Sequence, residues 1–214
     1  MNLIESFLAQ VAVRPDAAAI VTPKGRVVTY AELSKASDAR AHAYECSGIE
    51  PGDVILIARG VSVELYETLL AVFRLGAVAM FPEPAAGIKG LRLAVQAVKP
   101  KAIATAGLGS VLRLMFPETR PLKLLPDPIG KEPGRNILIN RPGDAPALIT
   151  FTSGSTDRPK GIVRSADFLM LQHDLLEKLR HTTASDIDLI SLPVFILSNL
   201  AAGATSVIPD GRLT

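Results

Sequence analysis

Apolar positions along the chain fall into two alternating patterns, short continuous runs and longer stretches at helical spacing. The runs Val54–Ala58, Ala77–Phe81 and Ala102–Thr105 are almost entirely apolar, which is typical of strands buried on both faces. Between them, Val61–Leu75 and Gly87–Lys99 place apolar residues three or four positions apart, which predicts helices. This order predicts an α/β fold, with a parallel twisted sheet, helices on both faces and right-handed crossovers.

Local signals predict where further elements begin and end. Helical spacing in Met1–Val13, without early basic residues, predicts an amphipathic helix rather than a signal peptide. Thr29 and Glu32 match a capping box, which predicts a helix from Tyr30 to about Cys46. Strands are predicted at Ala18–Val21, Val27–Val28, Leu122–Leu125, Ala147–Phe151, Gly161–Arg164, Asp188–Leu192 and Thr205–Ile208, and helices at Leu108–Met115 and Asp167–Arg180.

One composition shift divides the chain. Pro117–Pro146 contains seven of the 16 prolines, and proline restricts φ and removes backbone donors. We therefore expect an extended connection from about residue 117. It separates a predicted N-terminal α/β lobe, residues 1–140, from a partial second lobe, residues 141–214.

Composition and charge exclude several classes of protein. Apolar residues make up 48% of the chain and charged residues 21%, so the chain is expected to fold around a core rather than remain disordered. A net charge of +2 without runs of like charge does not favour a nucleic-acid partner. The single cysteine, Cys46, favours a reducing, cytoplasmic location. Leu189–Pro209 is uncharged, but its proline, glycine and polar residues favour strand, turn, short helix and strand over a membrane span.

The segment Thr152–Gly161 carries the most informative chemistry. It combines four adjacent hydroxyl residues around a glycine with a lysine and a second glycine. Glycine lets the backbone approach a phosphate, hydroxyl and backbone N–H groups donate to its oxygens, and lysine supplies a compact charge. The order differs from a Walker A loop. Spacing alone leaves both phosphate binding and a plain hairpin turn open.

The residues around this loop resemble the phosphate loop of the adenylate-forming superfamily, which includes acyl-CoA synthetases and nonribosomal-peptide adenylation domains. Leu148–Ile162 carries the resemblance, and Thr29–Leu33 and Leu70–Pro82 are similar to two weaker motifs of the family. Leu192–Leu200 and Gly203–Val207 resemble the strand and helix that border the acyl pocket. Pro84–Gly90 and the segment at Pro193 look most like fatty-acyl ligases and β-lactone synthetases.

The resemblance implies the N-terminal part of the large domain of an AMP-forming ligase, with the start of a second sheet lobe. In that reaction a small carboxylic acid attacks the α-phosphorus of Mg²⁺-bound ATP, pyrophosphate leaves, and the acyl-adenylate passes to a thiol such as CoA or closes on an internal hydroxyl. The family's catalytic lysine would lie beyond this chain. By analogy the ATP phosphates would contact Thr152, Ser153, Gly154, Ser155, Thr156, Lys160 and Gly161, Phe195 and Asn199 would face the acyl or adenine pocket, and no residue is assigned to a metal.

Three positions depart from the family pattern. Asp157 stands where the family usually has glycine, and a carboxylate 4 Å from a phosphate costs on the order of 4 kcal/mol at an effective dielectric constant of about 20. Ala166 and Ile196 stand where many relatives have histidine. Because the chain stops before the family's adenine-binding and Mg²⁺-binding motifs and its catalytic lysine, we expect it to be inactive alone. We also expect it to self-associate through apolar surface that truncation leaves exposed. A non-catalytic nucleotide- or acyl-binding module and a ligand-free interaction domain remain alternatives.

Overall fold

The computed structural model describes residues 2–83, 86–107, 115–128, 135–152, 160–190 and 193–209. Its helices are α1 (Leu3–Val13), α2 (Tyr30–Cys46), α3 (Val63–Arg74), α4 (Gly87–Val98), α5 (Ala166–Arg180) and α6 (Pro193–Ala202). Its strands are β1 (Ala18–Val21), β2 (Val27–Thr29), β3 (Val54–Ala58), β4 (Val78–Phe81), β5 (Ala102–Thr105), β6 (Lys123–Leu124), β7 (Pro146–Thr152), β8 (Lys160–Ser165), β9 (Ile187–Leu189) and β10 (Thr205–Val207).

The strands form two sheets. The larger sheet has six strands in the order β6-β5-β3-β4-β7-β8, and only β8 at its edge runs antiparallel to its neighbour. The smaller sheet has the order β2-β1-β10-β9, in which β2 is the antiparallel strand. The predicted α/β fold with parallel sheets is confirmed.

Both sheets draw strands from both predicted lobes. β7 and β8 follow residue 140 but join the larger sheet through β4, whereas β9 and β10 join the smaller sheet through β1. Strand pairing therefore does not separate residues 1–140 from residues 141–214. Their division into two lobes stays a prediction.

The local signals of the sequence correspond to observed elements. The Thr29 hydroxyl accepts a hydrogen bond from the Glu32 amide at 3.2 Å, and the Glu32 carboxylate accepts one from the Thr29 amide at 2.9 Å. This capping box starts α2 where it was predicted. The predicted helix Leu108–Met115 lies outside the described residues except for Met115.

The uncharged run near the C-terminal end begins at the last residue of β9 and contains the predicted short helix, α6, and the last strand, β10. Residues 191–192, at the end of the predicted strand Asp188–Leu192, lie outside the described residues. Within the described part of the chain, no helix is both long enough and apolar enough to cross a bilayer.

Two buried apolar clusters hold the layers together. The larger cluster joins both sheets to helices α1, α2 and α3, and within it the rings of Phe7 and Tyr30 stack with centroids 5.9 Å apart. The smaller cluster covers the other face of the larger sheet. Neighbouring residues of β3 divide between them, because Ile55 packs in the larger cluster and Leu56 in the smaller one.

A buried arginine holds the proline-rich connection against the helices. Arg74, at the end of α3, is 1% exposed and donates hydrogen bonds to the Ser34 hydroxyl at 2.7 Å and the Ile137 carbonyl at 3.3 Å. Asp38 on α2 lies 3.7 Å from the guanidinium and accepts hydrogen bonds from the amides of Asn136 and Ile137. The connection was expected to be extended, but Asn136 has a left-handed φ of 54° and Pro117–Thr119 forms a short 3-10 helix. The Asn136 and Ile137 amides and the Ile137 carbonyl all have hydrogen-bond partners.

A second anchor lies earlier in the same connection. Asp127 forms ion pairs with Arg40 of α2 and Arg59, which follows β3, and both guanidinium groups are almost fully buried. Arg40 also pairs with Glu67 of α3 at 2.8 Å. Burial raises the pKa of the Asp127 carboxyl, but the hydrogen bonds and charges of the two arginines outweigh it and hold this pKa below its ordinary value.

Replacing Arg74 tests the first anchor. We expect Arg74→Met to lower the free energy of unfolding by about 2–4 kcal/mol, because it removes the cation that faces Asp38 and the donors to the Ser34 hydroxyl and the Ile137 carbonyl. Arg26→Ala, in an exposed turn, is the control and is expected to change it by less than about 0.5 kcal/mol. Urea unfolding measures both, and equal values for the two variants would contradict the anchoring role.

The Asp127 anchor predicts a pH dependence. Because the carboxyl has a lower pKa in the folded state, it stabilises the fold at neutral pH, and this contribution is lost as the pH falls from about 4 through the folded-state pKa. Asp127→Asn should therefore lower stability at pH 7 and differ less from the parent protein at pH 3. Urea unfolding across this range measures the difference, with the exposed Asp16→Asn as control. A gap that stays constant with pH would refute the assignment.

Candidate functional site

The candidate loop is carried by the β7–β8 hairpin. Thr152, the last residue of β7, pairs across the antiparallel ladder with Lys160, the first residue of β8. Both residues are exposed to solvent. The predicted phosphate contacts Ser153, Gly154, Ser155 and Thr156, and the departure Asp157, lie outside the described residues.

The hairpin extends beyond the carboxyl edge of the larger sheet. β7 runs parallel to β4, and Thr150 is level with Phe81, the last residue of β4. Strands β3, β5 and β7 run in the same direction as β4, so their carboxyl ends meet at this edge. Ligands of open parallel α/β sheets bind at this edge.

The two faces of the hairpin differ in chemistry. Ile149 and Phe151 point into the smaller apolar cluster, so the alternating residues Thr150 and Thr152 lie on the other face. Their register partners are Ile162 and Lys160. One face of the hairpin therefore presents hydroxyl groups together with a cationic side chain.

Gly161 lies on the opposite, apolar face. A Cβ atom at this position would be 3.2 Å from Cε1 of Phe151, closer than most contacts in folded proteins. The absence of a side chain at Gly161 thus permits the packing of Phe151. A role for Gly161 in phosphate binding stays a prediction and would have to use its backbone.

Arg164 adds a second cation that was not among the predicted site residues. Its Nη1 donates to the Thr150 hydroxyl at 2.5 Å, and its Cζ lies 5.9 Å from the ring centroid of Phe168. Arg164 follows Lys160 by four residues in the same strand, so both side chains lie on one face. In a strand, residues that are two or four positions apart lie on the same face. The four-residue spacing of Lys160 and Arg164 is therefore the sequence signal that could have identified Arg164.

Asn199 belongs to a buried polar network rather than to the hairpin. Its side chain is fully buried, donates to Asp188 at 2.9 Å and Ser206 at 3.1 Å, and accepts from Arg180 at 3.2 Å. These contacts use both amide hydrogens and the carbonyl oxygen. Asn199 therefore connects α5, α6, β9 and β10 around the smaller sheet.

Phe195 lies one turn earlier on α6, partly buried against the larger cluster, with the Arg180 guanidinium 5.6 Å from its ring centroid. Among the described residues, no hydrogen bond or ion pair joins Phe195 or Asn199 to Thr152 or Lys160. The predicted contact of Phe195 and Asn199 with an acyl or adenine group stays a prediction.

A small open cavity of about 50 Å³ lies away from these residues. It opens at the amino edge of the larger sheet, between Gly76 before β4 and Pro146 at the start of β7, with Arg141 in its wall. Of the predicted site residues that the structure describes, none lines it. In the described ranges, no group of three or more His, Cys, Asp and Glu side chains is arranged to hold a metal ion.

Comparison with known proteins gives the family. The sequence model of the family described as AMP-binding enzyme matches residues 7–213. An olefin beta-lactone synthetase of Stenotrophomonas maltophilia is 30% identical over 223 residues, which cover 92% of this chain and 40% of that protein. The olefin beta-lactone synthetase of Xanthomonas campestris pv. campestris is 28% identical, with the same coverage of 92% and 40%.

The fold has a close counterpart among solved structures. The fatty acyl-adenylate ligase of L. pneumophila, solved in complex with acyl adenylate and pyrophosphate, superposes with a TM-score of 0.83 at 18% identity. The superposition covers 98% of this chain and 40% of that ligase. The chain thus spans about two fifths of the length of these relatives, and within that length it belongs to the AMP-binding enzyme family.

Proposed function

We propose that the chain forms the N-terminal part of an AMP-forming ligase that uses ATP to convert a carboxylic acid into an acyl-adenylate. The observation that supports this most directly is the pairing of exposed Thr152 and Lys160 at the carboxyl edge of the larger sheet, inside the matched family region. The L. pneumophila ligase, which shares the fold, was solved with acyl adenylate and pyrophosphate.

Each residue has a distinct task in this proposal. The Lys160 ammonium group neutralises charge on the departing pyrophosphate, and the Thr152 hydroxyl donates a hydrogen bond to a phosphate oxygen. Ser153, Gly154, Ser155 and Thr156 complete the phosphate loop. Because the hairpin is anchored in the sheet, it would hold the phosphates in a fixed orientation for attack by the carboxylate on the α-phosphorus.

The described residues offer groups for a phosphate but no cluster of ligands for Mg²⁺. The exposed hydroxyl and ammonium groups of the hairpin suit a phosphate anion, but the described residues contain no acidic cluster that suits Mg²⁺. We therefore assign no residue of this chain to the metal.

The type of ligase, its acyl acceptor and its location in the cell are proposed from the family resemblance. We propose an acyl-CoA synthetase or β-lactone synthetase type of reaction, in which CoA, a carrier thiol or an internal hydroxyl accepts the acyl group, in the cytoplasm. More than half of the length of the β-lactone synthetase relatives lies outside the matched region, so the complete reaction is proposed for a ligase of that length.

A substitution of Lys160 tests the phosphate site. We expect Lys160→Ala to weaken the binding of Mg-ATP about tenfold, because one charge-assisted hydrogen bond is worth about 1.5 kcal/mol. The control is Lys24→Ala, an exposed lysine in the β1–β2 turn of the other sheet. Isothermal titration calorimetry measures both dissociation constants, and equal affinities for the two variants would exclude Lys160 from the site. Acid-dependent pyrophosphate exchange tests adenylate formation itself.

We also propose self-association, through an apolar row on the smaller sheet. The register places Val27, Val21, Val207 and Leu189 side by side across the four strands. Val27 and Leu189 are 50% and 70% exposed. Parallel sheets are ordinarily covered on both faces, and a second copy offers the same apolar row, so two copies can cover each other.

Light scattering tests the self-association. We expect a mass above the 22.7 kDa of one chain, and we expect Leu189→Lys to shift it towards that value by placing a charge in the apolar row. Val13→Lys, at an 81% exposed position at the end of α1, is the control and should leave the mass unchanged. A parent protein that is monomeric at all concentrations would contradict the proposal.

A further inference from the structure

We propose that Arg164 is a second anion-binding cation of the phosphate site and that its hydrogen bond to Thr150 holds it in position. This inference rests on the proposed function, because it assigns one more residue to the same site. It concerns a side chain that neither the loop motif nor the family resemblance indicates.

The first support is the direction of the Arg164 side chain. In the antiparallel ladder Arg164 is opposite Leu148, whereas Thr150, opposite Ile162, lies nearer to the loop. Two residues along a strand span about 7 Å. Because Nη1 of Arg164 contacts Oγ1 of Thr150 at 2.5 Å, the guanidinium extends along the hairpin towards Thr152 and Lys160.

The second support is the absence of a neutralising carboxylate among the described residues. Arg40, Arg59, Arg74 and Arg180 each lie within 4 Å of a carboxylate, whereas Arg164, like Arg141, has no such partner in the described ranges. Its partners there are a hydroxyl oxygen and an aromatic ring, both uncharged. In the described part of the chain, no carboxylate therefore competes with an external anion for its positive charge.

The third support is the remaining hydrogen-bonding capacity. A guanidinium has five N–H donors in a planar fork, and the contact with Thr150 uses one of them. The Phe168 ring, 5.9 Å from Cζ, further limits where the fork can point. A guanidinium group that is held in one orientation and has free N–H donors suits the oxygens of a phosphate better than a guanidinium that rotates freely.

The competing interpretation is that Arg164 only joins β7 to β8. That role predicts a loss of stability on substitution with unchanged anion affinity. An anion-binding role predicts lower affinity and a weaker dependence of affinity on salt, because one charge near the ligand is removed.

The test uses inorganic pyrophosphate as the probe, titrated by calorimetry at several salt concentrations. We expect Arg164→Gln to weaken binding about fivefold and to reduce the salt dependence. Arg164→Lys keeps the charge, so its salt dependence should match that of the parent protein, with affinity between the two. Thr150→Val removes the positioning hydrogen bond and should weaken binding about twofold without changing the salt dependence. Arg26→Gln, exposed on the other sheet, is the matched control.

The outcomes separate this inference from the proposed function. Failure of the parent protein to bind pyrophosphate would overturn both. Loss of binding in Lys160→Ala, with Arg164→Gln unchanged in affinity and salt dependence, would overturn the role of Arg164 and leave the proposed function standing. Urea unfolding of each variant establishes that the affinities compare folded proteins.

Discussion

The position of the candidate site depends on a long connection that crosses the larger sheet. β6 is an edge strand, and the next strand along the chain, β7, lies on the far side of β5, β3 and β4. The chain must therefore pass three strands before β7 can pair with β4. Near the start of the connection, Asp127 pairs with the buried Arg40 and Arg59. Further along, the Ile137 carbonyl accepts a hydrogen bond from the buried Arg74 of α3. These anchors restrict the path that the connection takes before β7 pairs with β4.

Cationic groups lie in two different settings in the molecule. Arg40, Arg59 and Arg74 are buried and paired with carboxylates, because an unpaired charge in the interior carries a large desolvation cost. Lys160 and Arg164 lie on an exposed hairpin and pair with no described carboxylate. The net charge of +2 does not show this difference, because it sums the buried paired charges and the charges at the sheet edge into one number.

The polar network around Asn199 shows why the partners of a side chain in the fold cannot be predicted from the chemistry of that residue alone. An asparagine in an otherwise apolar helix is a natural candidate for ligand binding, because its amide both donates and accepts. In the folded chain Asp188, Ser206 and Arg180 satisfy these groups, and all three come from different elements. Conversely, Arg164 received no functional prediction, because its relation to Thr150 arises only when β7 and β8 pair.

The sequence by itself determined most of the described elements and the residue composition of the loop. The capping box at Thr29, the apolar run Val54–Ala58 and the hydroxyl-rich segment after Phe151 act over a few residues, so each can be identified without knowing its neighbours in space. Only the tertiary structure decided which strands share a sheet, how the connection crosses it, and which polar side chains face solvent. These features depend on contacts between residues far apart in the chain, and many such pairings satisfy the same local hydrophobic pattern.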